Sequence, residues 1–436
     1  MLVLALPMIG TQLAQMAMGF TDVLMLGWLG PEALAASALG LTLYYMVFTL
    51  AMGPTLAISP VVAQAFGRSR HDRRTARRAV TMGLWLVALM MVPAWPLLWF
   101  AEDLLLAIGQ NPKLAAMSGE YVRALMWGLP FALSFIVLRG FISALNRPEP
   151  ALWVTVGAIA LNAVLNYGLI WGHFGLPALG LSGAGLATTI GSIVQVVVLA
   201  VWVVRDRQFR TYRVFARIAQ IDLRMMRELA RIGAPIGVTL AFEGGLFFVA
   251  SFAMGYFGTA QLAGHQIAVN VASITFMVPL GLSMAATVRV GQFQGAGDHD
   301  GLRRAGWVAI IMAAAFMTVA AIAIWFAPQA IVGLYLARTP ENAAAFDAAM
   351  VLLALAAAFQ LGDGVQVAAA GALRGLKDTN GPMWIAATAY WAIALPVALG
   401  LAFWAGWEGR GLWTGFIVGL SLAAVMMSAR FWWKTR

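Results

Sequence analysis

The feature that most constrains this chain is a series of long apolar segments that recurs along its whole length. A helix of about 20 apolar residues spans the hydrocarbon core of a bilayer, so each segment predicts one membrane crossing. The twelve segments lie near 2–27, 34–64, 79–100, 117–144, 151–173, 181–205, 229–257, 263–290, 302–332, 346–374, 381–406 and 410–433. We therefore expect an all-α polytopic membrane protein with twelve transmembrane helices.

Composition supports the same fold class and excludes every kind of site that needs cysteine. Of the 436 residues, 62% are hydrophobic and 11% are charged, whereas a soluble domain has about 25% charged residues. The chain has no cysteine, which excludes disulfides, thiolate zinc sites and cysteine nucleophiles. The first apolar segment contains Asp22 and has no basic region before it, so we interpret it as a membrane helix and not as a cleaved leader.

Lysine and arginine are distributed unequally between the two sets of loops. Loops after even-numbered segments, their flanking turns and the C-terminal end hold 24 of the 28, with dense runs in 67–78 and 205–231. Positive residues stay cytoplasmic, so we expect a multi-pass protein of a bacterial-type inner (plasma) membrane with both termini in the cytoplasm. The net charge of +10 is then explained by topology and by contact with anionic headgroups, and no nucleic-acid partner is expected.

Short matches between the two halves predict an internal duplication. At an offset of 228, Pro7 matches Pro235, Leu29-Gly30 matches Phe257-Gly258, and Gln64…Gly67…His71-Asp72 matches Gln292…Gly295…His299-Asp300. At an offset of 231, Gly140, Leu145 and Trp153 match Gly371, Leu376 and Trp384. We predict two pseudo-symmetric six-helix bundles: an N-terminal lobe at 1–205, a cytoplasmic linker at 206–228 and a C-terminal lobe at 229–436. Parallel repeats of this kind are typical of transporters that work by alternating access around a midplane site.

Three acidic residues lie well inside predicted spans, where a charge is expensive. They are Asp22 on helix 1, Glu243 on helix 7 and Asp363 on helix 10. One interpretation is structural, in which each carboxylate pairs with a buried arginine or caps a helix break. The other is functional: in a cavity, Asp22, Glu243 and Asp363 can exchange a proton or bind Na⁺ or an organic cation, and competition between these cations is the basis of antiport.

Polar side chains on neighbouring spans extend this hypothesis. Asn162 and Asn166 are four residues apart and so lie on one face of helix 5, where they could form an oxygen-rich patch with Asp22. Ordinary hydrogen bonding between helices explains the same two asparagines equally well. Weaker candidates for cation and substrate binding are Tyr44, Gln266, Asn270 and Gln366. We interpret His265, at the start of helix 8, as an interfacial residue.

No catalytic or nucleotide motif is present. The sequence contains no P-loop, H-E-x-x-H or G-x-S-x-G pattern, so we expect neither an enzyme nor an ATP-driven pump, and no cofactor. Transport would then use an ion gradient, with Na⁺ or H⁺ as the coupling ion.

Several stretches resemble the multidrug and toxic compound extrusion (MATE) family. On helix 1 they are Pro7…Asp22-Val23…Gly27…Gly30, and on helices 7 and 8 they are Pro235-Ile236…Phe242-Glu243 and Gly264-His265-Gln266-Ile267. The most specific run is Asp363…Gln366-Val367…Gly371-Ala372-Leu373-Arg374-Gly375-Leu376-Lys377-Asp378-Thr379. The acids at Glu243 and Asp363 resemble the NorM branch. An aromatic residue that often follows the helix 10 aspartate in that branch is absent here, where Gly364 and Val365 follow.

This resemblance implies two six-helix lobes in a V shape and Na⁺- or H⁺-coupled efflux of cationic amphipathic drugs, by a chain that we expect to be a monomer. Two alternatives remain. A flippase for lipid-linked precursors needs basic residues in its cavity to hold phosphates, and the mid-depth charges of this chain are acidic. A membrane-embedded enzyme needs a catalytic constellation, which the sequence lacks.

Overall fold

The protein is an all-helical membrane protein. The computed structural model describes residues 1–69 and 72–436, so Arg70 and His71, which belong to the first basic run and to one repeat match, lie outside the described residues. Within the described part, twelve helices are long and apolar enough to span a membrane, which confirms the predicted fold class. They are α1 Leu2–Leu29, α2 Pro31–Arg68, α3 Arg73–Trp99, α4 Pro112–Ala144, α5 Glu149–Trp171, α6 Gly180–Arg205, α7 Leu223–Gly255, α8 Thr259–Ala296, α9 His299–Phe326, α10 Pro340–Gly375, α11 Asn380–Trp404 and α12 Glu408–Lys434.

Proline marks two irregularities within the expected segments. The ninth segment was expected to continue to 332, but α9 ends at Phe326 and a separate short helix follows at Pro328–Gly333. Pro328 has no backbone N–H and disfavours helical geometry in the residue before it. In α11, Pro396 follows a π-helical stretch at Ala387–Ala394, whose last turn is closed by the Leu395 N–H donating to the Tyr390 carbonyl.

The chain forms two compact units. One contains Gly10–Gly237, and the other contains Met1–Ile9 together with Val238–Arg436. We call them the first unit and the second unit. Both boundaries fall inside a helix, α1 in one case and α7 in the other, so each unit includes the initial turns of a helix that continues in the other unit. Of the boundaries proposed from the sequence, the one after residue 205 coincides with the end of α6 and the one after residue 228 falls inside α7.

The segment between α6 and α7 packs within the first unit. It begins with a 3-10 turn at Phe209–Tyr212, where the rings of Phe209 and Tyr212 lie against Phe141. Phe209 is fully buried. The region predicted as a linker, 206–228, therefore has packed structure of its own, and its last residues form the first turns of α7.

A pair of close backbone contacts repeats in the two units. In the first unit, a Cβ placed on Gly53 would lie 2.5 Å from the backbone nitrogen of Gly237. In the second, a Cβ placed on Gly281 would lie 2.8 Å from the backbone nitrogen of Ile9. The offset of 228 residues found in the sequence relates the two pairs, because Gly53 corresponds to Gly281 and Ile9 corresponds to Gly237. The duplication is therefore visible in packing as well as in sequence.

Small residues also bring α8 and α10 together in the second unit. A Cβ on Gly371 would lie 2.4 Å from the Ser283 carbonyl oxygen, and the Thr287 hydroxyl donates a 2.8 Å hydrogen bond to the Gly371 carbonyl. Close approach through small side chains is the usual way in which membrane helices associate. This contact fixes the position of α10, which holds Asp363.

Candidate functional site

The first unit places Asp22 in a cluster of amide and hydroxyl groups. Asn166 Nδ2 of α5 donates to Asp22 Oδ1 over 2.6 Å, and the Thr188 hydroxyl of α6 donates to Oδ2 over 3.3 Å. Asn166 Nδ2 also donates to Asn162 Oδ1 over 3.1 Å, which links Asn162 to the Asp22 carboxylate through Asn166. The structure therefore brings together three residues singled out from the sequence, Asp22, Asn162 and Asn166.

This polar cluster is only partly satisfied. Asn162 and Asn166 are fully buried, yet Asn162 Nδ2 and Asn166 Oδ1 have no hydrogen-bond partner among the described residues. Buried polar atoms are nearly always paired, and a group without a partner requires an explanation. The Asn166 amide bonds to Asp22 of another helix and to Asn162 of its own helix. The free Asn166 Oδ1 can accept from water or bind a cation, and the free Asn162 Nδ2 can donate to water or to an anion.

Tyrosines of α2 and α4 interact electrostatically with the Asp22 cluster. Tyr45 of α2 and Tyr121 of α4 both interact electrostatically with Asp22. Tyr44, the tyrosine named from the sequence, stacks on Phe48 with ring centroids 6.1 Å apart and interacts with Tyr121. Tyr44 is thus linked to the Asp22 cluster through its neighbours, whereas Tyr45 and Tyr121 interact electrostatically with the carboxylate.

The second unit brings Glu243 of α7 and Asp363 of α10 into one electrostatic environment. Their charges interact with each other, and the phenol of Tyr390 of α11 interacts with both. Glu243 is half-buried, Asp363 is 5% exposed and Tyr390 is fully buried. Asp363 Oδ1 and the Tyr390 hydroxyl have no hydrogen-bond partner in the described part of the chain.

Two glycines explain how Asp363 becomes buried. A Cβ on Gly362 would lie 2.9 Å from the backbone nitrogen of Ser421 of α12, and a Cβ on Gly364 would lie 2.4 Å from Cγ of Met317 of α9. The glycines therefore allow α12 and α9 to approach α10 on either side of the aspartate. They also explain why no aromatic residue follows Asp363 here, because Met317 occupies the space that a ring at position 364 would need.

Asp363 lies within a stripe of buried polar side chains on α10. Gln360, Asp363 and Gln366 follow each other at a spacing of three, which places them on neighbouring positions of one helical face. Gln360 is fully buried and Gln366 is 2% exposed. Both polar atoms of the Gln360 amide and Oε1 of Gln366 have no partner among the residues described. Sequence reasoning named Gln366 and missed Gln360, although the spacing of three was visible.

None of the three carboxylates has a basic partner. Within residues 1–69 and 72–436, no lysine, arginine or histidine nitrogen lies within 4.0 Å of a carboxylate oxygen of Asp22, Glu243 or Asp363. The structural interpretation, in which each acid neutralises a buried arginine, is therefore wrong for the described residues. Asp363 does not cap a helix break either, because it lies inside a continuous helix.

Two of the weaker candidates lie apart from these clusters. Gln266 and Asn270 of α8 are both exposed. Asn270 Oδ1 accepts a 3.2 Å hydrogen bond from the Tyr335 hydroxyl, and neither residue forms a hydrogen bond with Glu243 or Asp363. Their binding role stays a prediction without support from geometry.

His265 corrects an expectation. The sequence predicts an interfacial position for His265, but the side chain is fully buried in the second unit. Trp413 Nε1 donates to His265 Nδ1 over 3.2 Å, and His265 Nε2 lies 3.0 Å from the Ser251 hydroxyl. Because Nδ1 accepts, the ring proton belongs on Nε2, and the neutral imidazole joins α7, α8 and α12.

Two cluster residues were missed because no sequence signal identified them. Thr188 resembles the many other small residues of α6, and only the packing of α6 against α1 and α5 shows that it reaches Asp22. Tyr390 lies in the π-helical stretch before Pro396, and such stretches occur frequently at functional sites. Pro396 indicated a bend, but it did not identify the residue that the bend would turn inward.

The two carboxylate clusters offer oxygen atoms as potential ligands. In the described residues, no group of three or more His, Cys, Asp or Glu side chains is placed to hold a metal ion. The oxygen atoms of Asp22, Asn162 and Thr188 are hard donors of the kind that alkali and alkaline-earth cations prefer. Glu243, Asp363 and Tyr390 likewise offer oxygen atoms only.

Comparison with known proteins agrees with the architecture. The MatE family profile matches the chain twice, over residues 7–168 and 235–399, so that the matches start 228 residues apart and end 231 residues apart. These are the two offsets found in the internal comparison. A probable multidrug resistance protein NorM of Mesorhizobium japonicum is 44% identical over 99% of this chain and 92% of its own. The multidrug resistance protein NorM of Burkholderia vietnamiensis is 43% identical over 99% and 93%.

Solved structures show the same fold at lower identity. The eukaryotic MATE transporter AtDTX14 superposes with a TM-score of 0.87 at 22% identity, over 98% of this chain and 94% of the other. An outward-facing multidrug resistance MATE transporter of the MOP superfamily superposes with a TM-score of 0.89 at 19% identity, over 100% and 95%. The profile matches and the relatives above 40% identity confirm the resemblance stated from the sequence, and with it a transporter rather than an enzyme. The chain is a multi-pass membrane transporter that belongs to the multidrug and toxic compound extrusion (MATE) family.

Proposed function

We propose that this transporter is a secondary active multidrug efflux antiporter, which exports cationic amphipathic compounds in exchange for Na⁺ or H⁺ by alternating access. The names of its relatives in Mesorhizobium and Burkholderia support drug efflux. The exchange with an ion and the cationic nature of the substrate rest on the chemistry of the two carboxylate clusters.

The observation that most supports exchange is the pair Glu243 and Asp363. Two carboxylates whose charges interact in apolar surroundings, with no basic residue to neutralise them, repel each other when both are ionised. A proton, Na⁺ or an organic cation relieves that repulsion. Only one of these cations is needed at a time, so the binding of one favours the release of another. Phe242 and Trp391, whose rings are 6.2 Å apart, offer apolar contact for an amphipathic substrate beside this pair.

Asp22 forms the basis of a second cation site in the first unit. Asp22, Asn162 and Thr188 provide oxygen atoms for Na⁺, and the same carboxylate can instead take a proton. The unpartnered amide atoms of Asn162 and Asn166 are available to reorganise when the cation enters or leaves. Both ions remain candidates in our proposal, because carboxylate and amide oxygens serve either.

The driving force follows from the proposed orientation. We propose an inner-membrane location with both termini in the cytoplasm, because the basic loops follow the even-numbered helices. We also propose that the chain acts as a monomer. One positive charge moving inward through about 150 mV releases roughly 3.5 kcal/mol. A monovalent cationic compound that leaves in a one-for-one exchange carries the same charge outward, so that exchange is driven by the concentration gradient of Na⁺ or H⁺, and the membrane potential contributes only when more than one ion enters per compound.

A lipid-linked precursor flippase is the alternative, and one residue favours it. Arg139 of α4 is 8% exposed, and its guanidinium donates to Gln12 Oε1 over 2.8 Å and to Gln15 Oε1 over 3.2 Å. A guanidinium without a carboxylate partner can hold a phosphate. One such arginine is outweighed by three unneutralised carboxylates, so we prefer the drug antiporter.

The deciding experiment uses purified protein in liposomes loaded with ethidium. A Na⁺ gradient and a pH gradient are imposed separately, and ethidium movement is recorded in each case. We expect one of the two gradients to drive transport against the ethidium gradient. Transport that depends on neither gradient would contradict antiport, and movement of a lipid-linked precursor without ethidium transport would favour the flippase.

A further inference from the structure

A basic pocket lies at the start of α3 in the first unit, and its lining includes no residue of either carboxylate cluster. It has a volume of about 660 Å³ and is formed by the first turns of α3, the segment before α7 and the first turns of α7. We call it the α3–α7 pocket. Its charged lining consists of Arg74, Arg77, Arg78, Arg217, Arg224, Asp222 and Glu228. Five arginines against two carboxylates make this pocket strongly positive.

Asp222, one of the two carboxylates of the pocket, already has partners within the first unit. Asp222 Oδ1 accepts from the backbone N–H groups of Arg224 and Met225 and so caps α7. Its other oxygen lies 3.2 Å from Arg78 NH1. Arg74, Arg77 and Arg217 form no ion pair in the described part of the chain, and neither does Arg224. The excess of positive charge therefore remains free for an external anion.

The wall of the pocket is fixed by contacts with α3. The Thr81 hydroxyl donates to the Val214 carbonyl over 3.0 Å, and Trp85 Nε1 donates to the Ile218 carbonyl over 2.6 Å. The Asp222 N–H lies 3.0 Å from Met82 Sδ. These three contacts lie along α3 and hold the segment that carries Arg217 against it. The position of Arg217 beside the arginines of α3 is therefore set by the packing of the first unit.

Apolar side chains next to these arginines indicate what kind of anion the pocket takes. Ile221 is 55% exposed and Leu223 is 72% exposed, and both line the pocket. Trp85, with a hydrogen-bonded indole and a partly exposed ring, is typical of a membrane–water interface. A soluble phosphate would make no use of exposed aliphatic groups, whereas a phospholipid presents its phosphate and its acyl chains together.

We propose that the α3–α7 pocket binds the phosphate of an anionic phospholipid, with Arg217 and Arg224 holding the headgroup and Ile221 and Leu223 contacting the glycerol and upper acyl chains. Guanidinium groups match phosphate geometry with paired hydrogen bonds, and basic clusters beside membrane spans attract anionic lipids. The site is independent of the proposed antiport mechanism, since neither Asp22, Glu243 nor Asp363 belongs to it.

The test measures phospholipid binding to the full-length purified protein. Native mass spectrometry after extraction from mixed vesicles of phosphatidylglycerol and phosphatidylcholine gives the retained lipid, and titration with short-chain phosphatidylglycerol gives the rise in Tm. We expect preferential retention of phosphatidylglycerol by the unmodified chain. Equal retention of the two lipids would overturn the proposal, and this readout needs no variant to fold.

Paired variants locate the site. Arg217→Gln/Arg224→Gln should weaken phosphatidylglycerol binding about tenfold. The matched control, Arg303→Gln/Arg304→Gln, removes two exposed arginines at the start of α9 and should bind as the unmodified chain does. An equal loss in both double variants would mean that general surface charge attracts the lipid, and would refute the pocket.

A third variant separates a lipid from a free anion. Ile221→Ser/Leu223→Ser keeps all five arginines and should weaken phosphatidylglycerol binding severalfold. Inorganic phosphate at matched concentration should raise the Tm of the unmodified chain little. If phosphate alone gives the full rise in Tm and the serine variant binds lipid normally, the pocket is a soluble-anion site and our proposal is wrong.

Discussion

Asn166 donates a 2.6 Å hydrogen bond to Asp22 although the two residues are 144 positions apart in the chain. The bond joins α5 to α1 and makes Asn166 the nearest partner of a carboxylate that has no basic neighbour. The Thr188 hydroxyl approaches the same carboxylate from α6 at 3.3 Å. Three helices of the first unit therefore meet at Asp22, and a cation that binds or leaves there changes the contacts of all three.

We predict that Asp22 and Asn166 act as one unit. Asn166→Leu keeps the size of the side chain but removes the donor, and a hydrogen bond to a charged group contributes about 1.5–3 kcal/mol. We expect Asp22→Asn and Asn166→Leu each to slow gradient-driven ethidium efflux at least about tenfold, with no further loss in the double variant. Thr188→Val removes a longer bond and should have a smaller effect. Multiplicative losses in the double variant would show that the two residues act separately.

The carboxylate of Asp363 should be essential for transport. Asp363→Asn removes the charge that interacts with Glu243 and leaves the volume almost unchanged, so insertion and expression should persist while efflux of ethidium-like cations is abolished. Initial efflux rates in proteoliposomes measure this. Asp347→Asn is the matched control, because Asp347 is an exposed residue of the same helix and should be replaceable without effect. Unchanged drug resistance in cells with Asp363→Asn would refute the antiport mechanism.

The repeated glycine contacts should be equally intolerant of a methyl group. Gly53→Ala and Gly281→Ala each place a Cβ within 2.5 Å of atoms in the neighbouring helix, and overpacking of this kind costs about 1–3 kcal/mol. We expect both variants to lower the Tm of the detergent-solubilised protein by similar amounts.

Gly157→Ala serves as the control for this comparison. A Cβ at position 157 would meet nothing within 4 Å, and alanine favours a helix more than glycine does. Its Tm should equal or exceed that of the unmodified protein. A normal Tm for Gly281→Ala together with a low one for Gly53→Ala would mean that the repeated contact is not equivalent in the two units.

His265 should contribute to stability as the centre of a buried hydrogen-bond chain. His265→Leu leaves the Trp413 indole N–H, which is fully buried, without an acceptor, and an unsatisfied buried donor costs about 1–3 kcal/mol. A lower Tm is expected. Ser251→Ala removes only one end of the chain and should cost less, and His299→Leu, at an exposed position, should cost nothing. A Tm for His265→Leu equal to that of the control would show that the chain is dispensable.

Local properties of the sequence were sufficient to predict the membrane spans. Hydrophobic length decides whether a segment crosses a bilayer, and each helix satisfies its own backbone hydrogen bonds there. The predicted end of the ninth span was wrong, because Pro328 ends α9 within an apolar run and hydrophobicity alone does not show that break. The sequence also predicted the duplication from the 228-residue offset between Pro7 and Pro235. The same offset relates the close contact of Gly53 to that of Gly281.

The sequence by itself determined the twelve spans, the duplication and the three lone carboxylates, because each is a property of composition or spacing along the chain. Tertiary structure decided which side chains accompany those carboxylates. It brought Thr188 to Asp22 and Tyr390 to Asp363, buried His265, and left Gln266 exposed. The physical reason is that the partner of a residue inside a membrane depends on how its helix is rotated and how closely its neighbours approach. Contacts such as Gly364 against Met317 set that approach between helices that are distant in sequence.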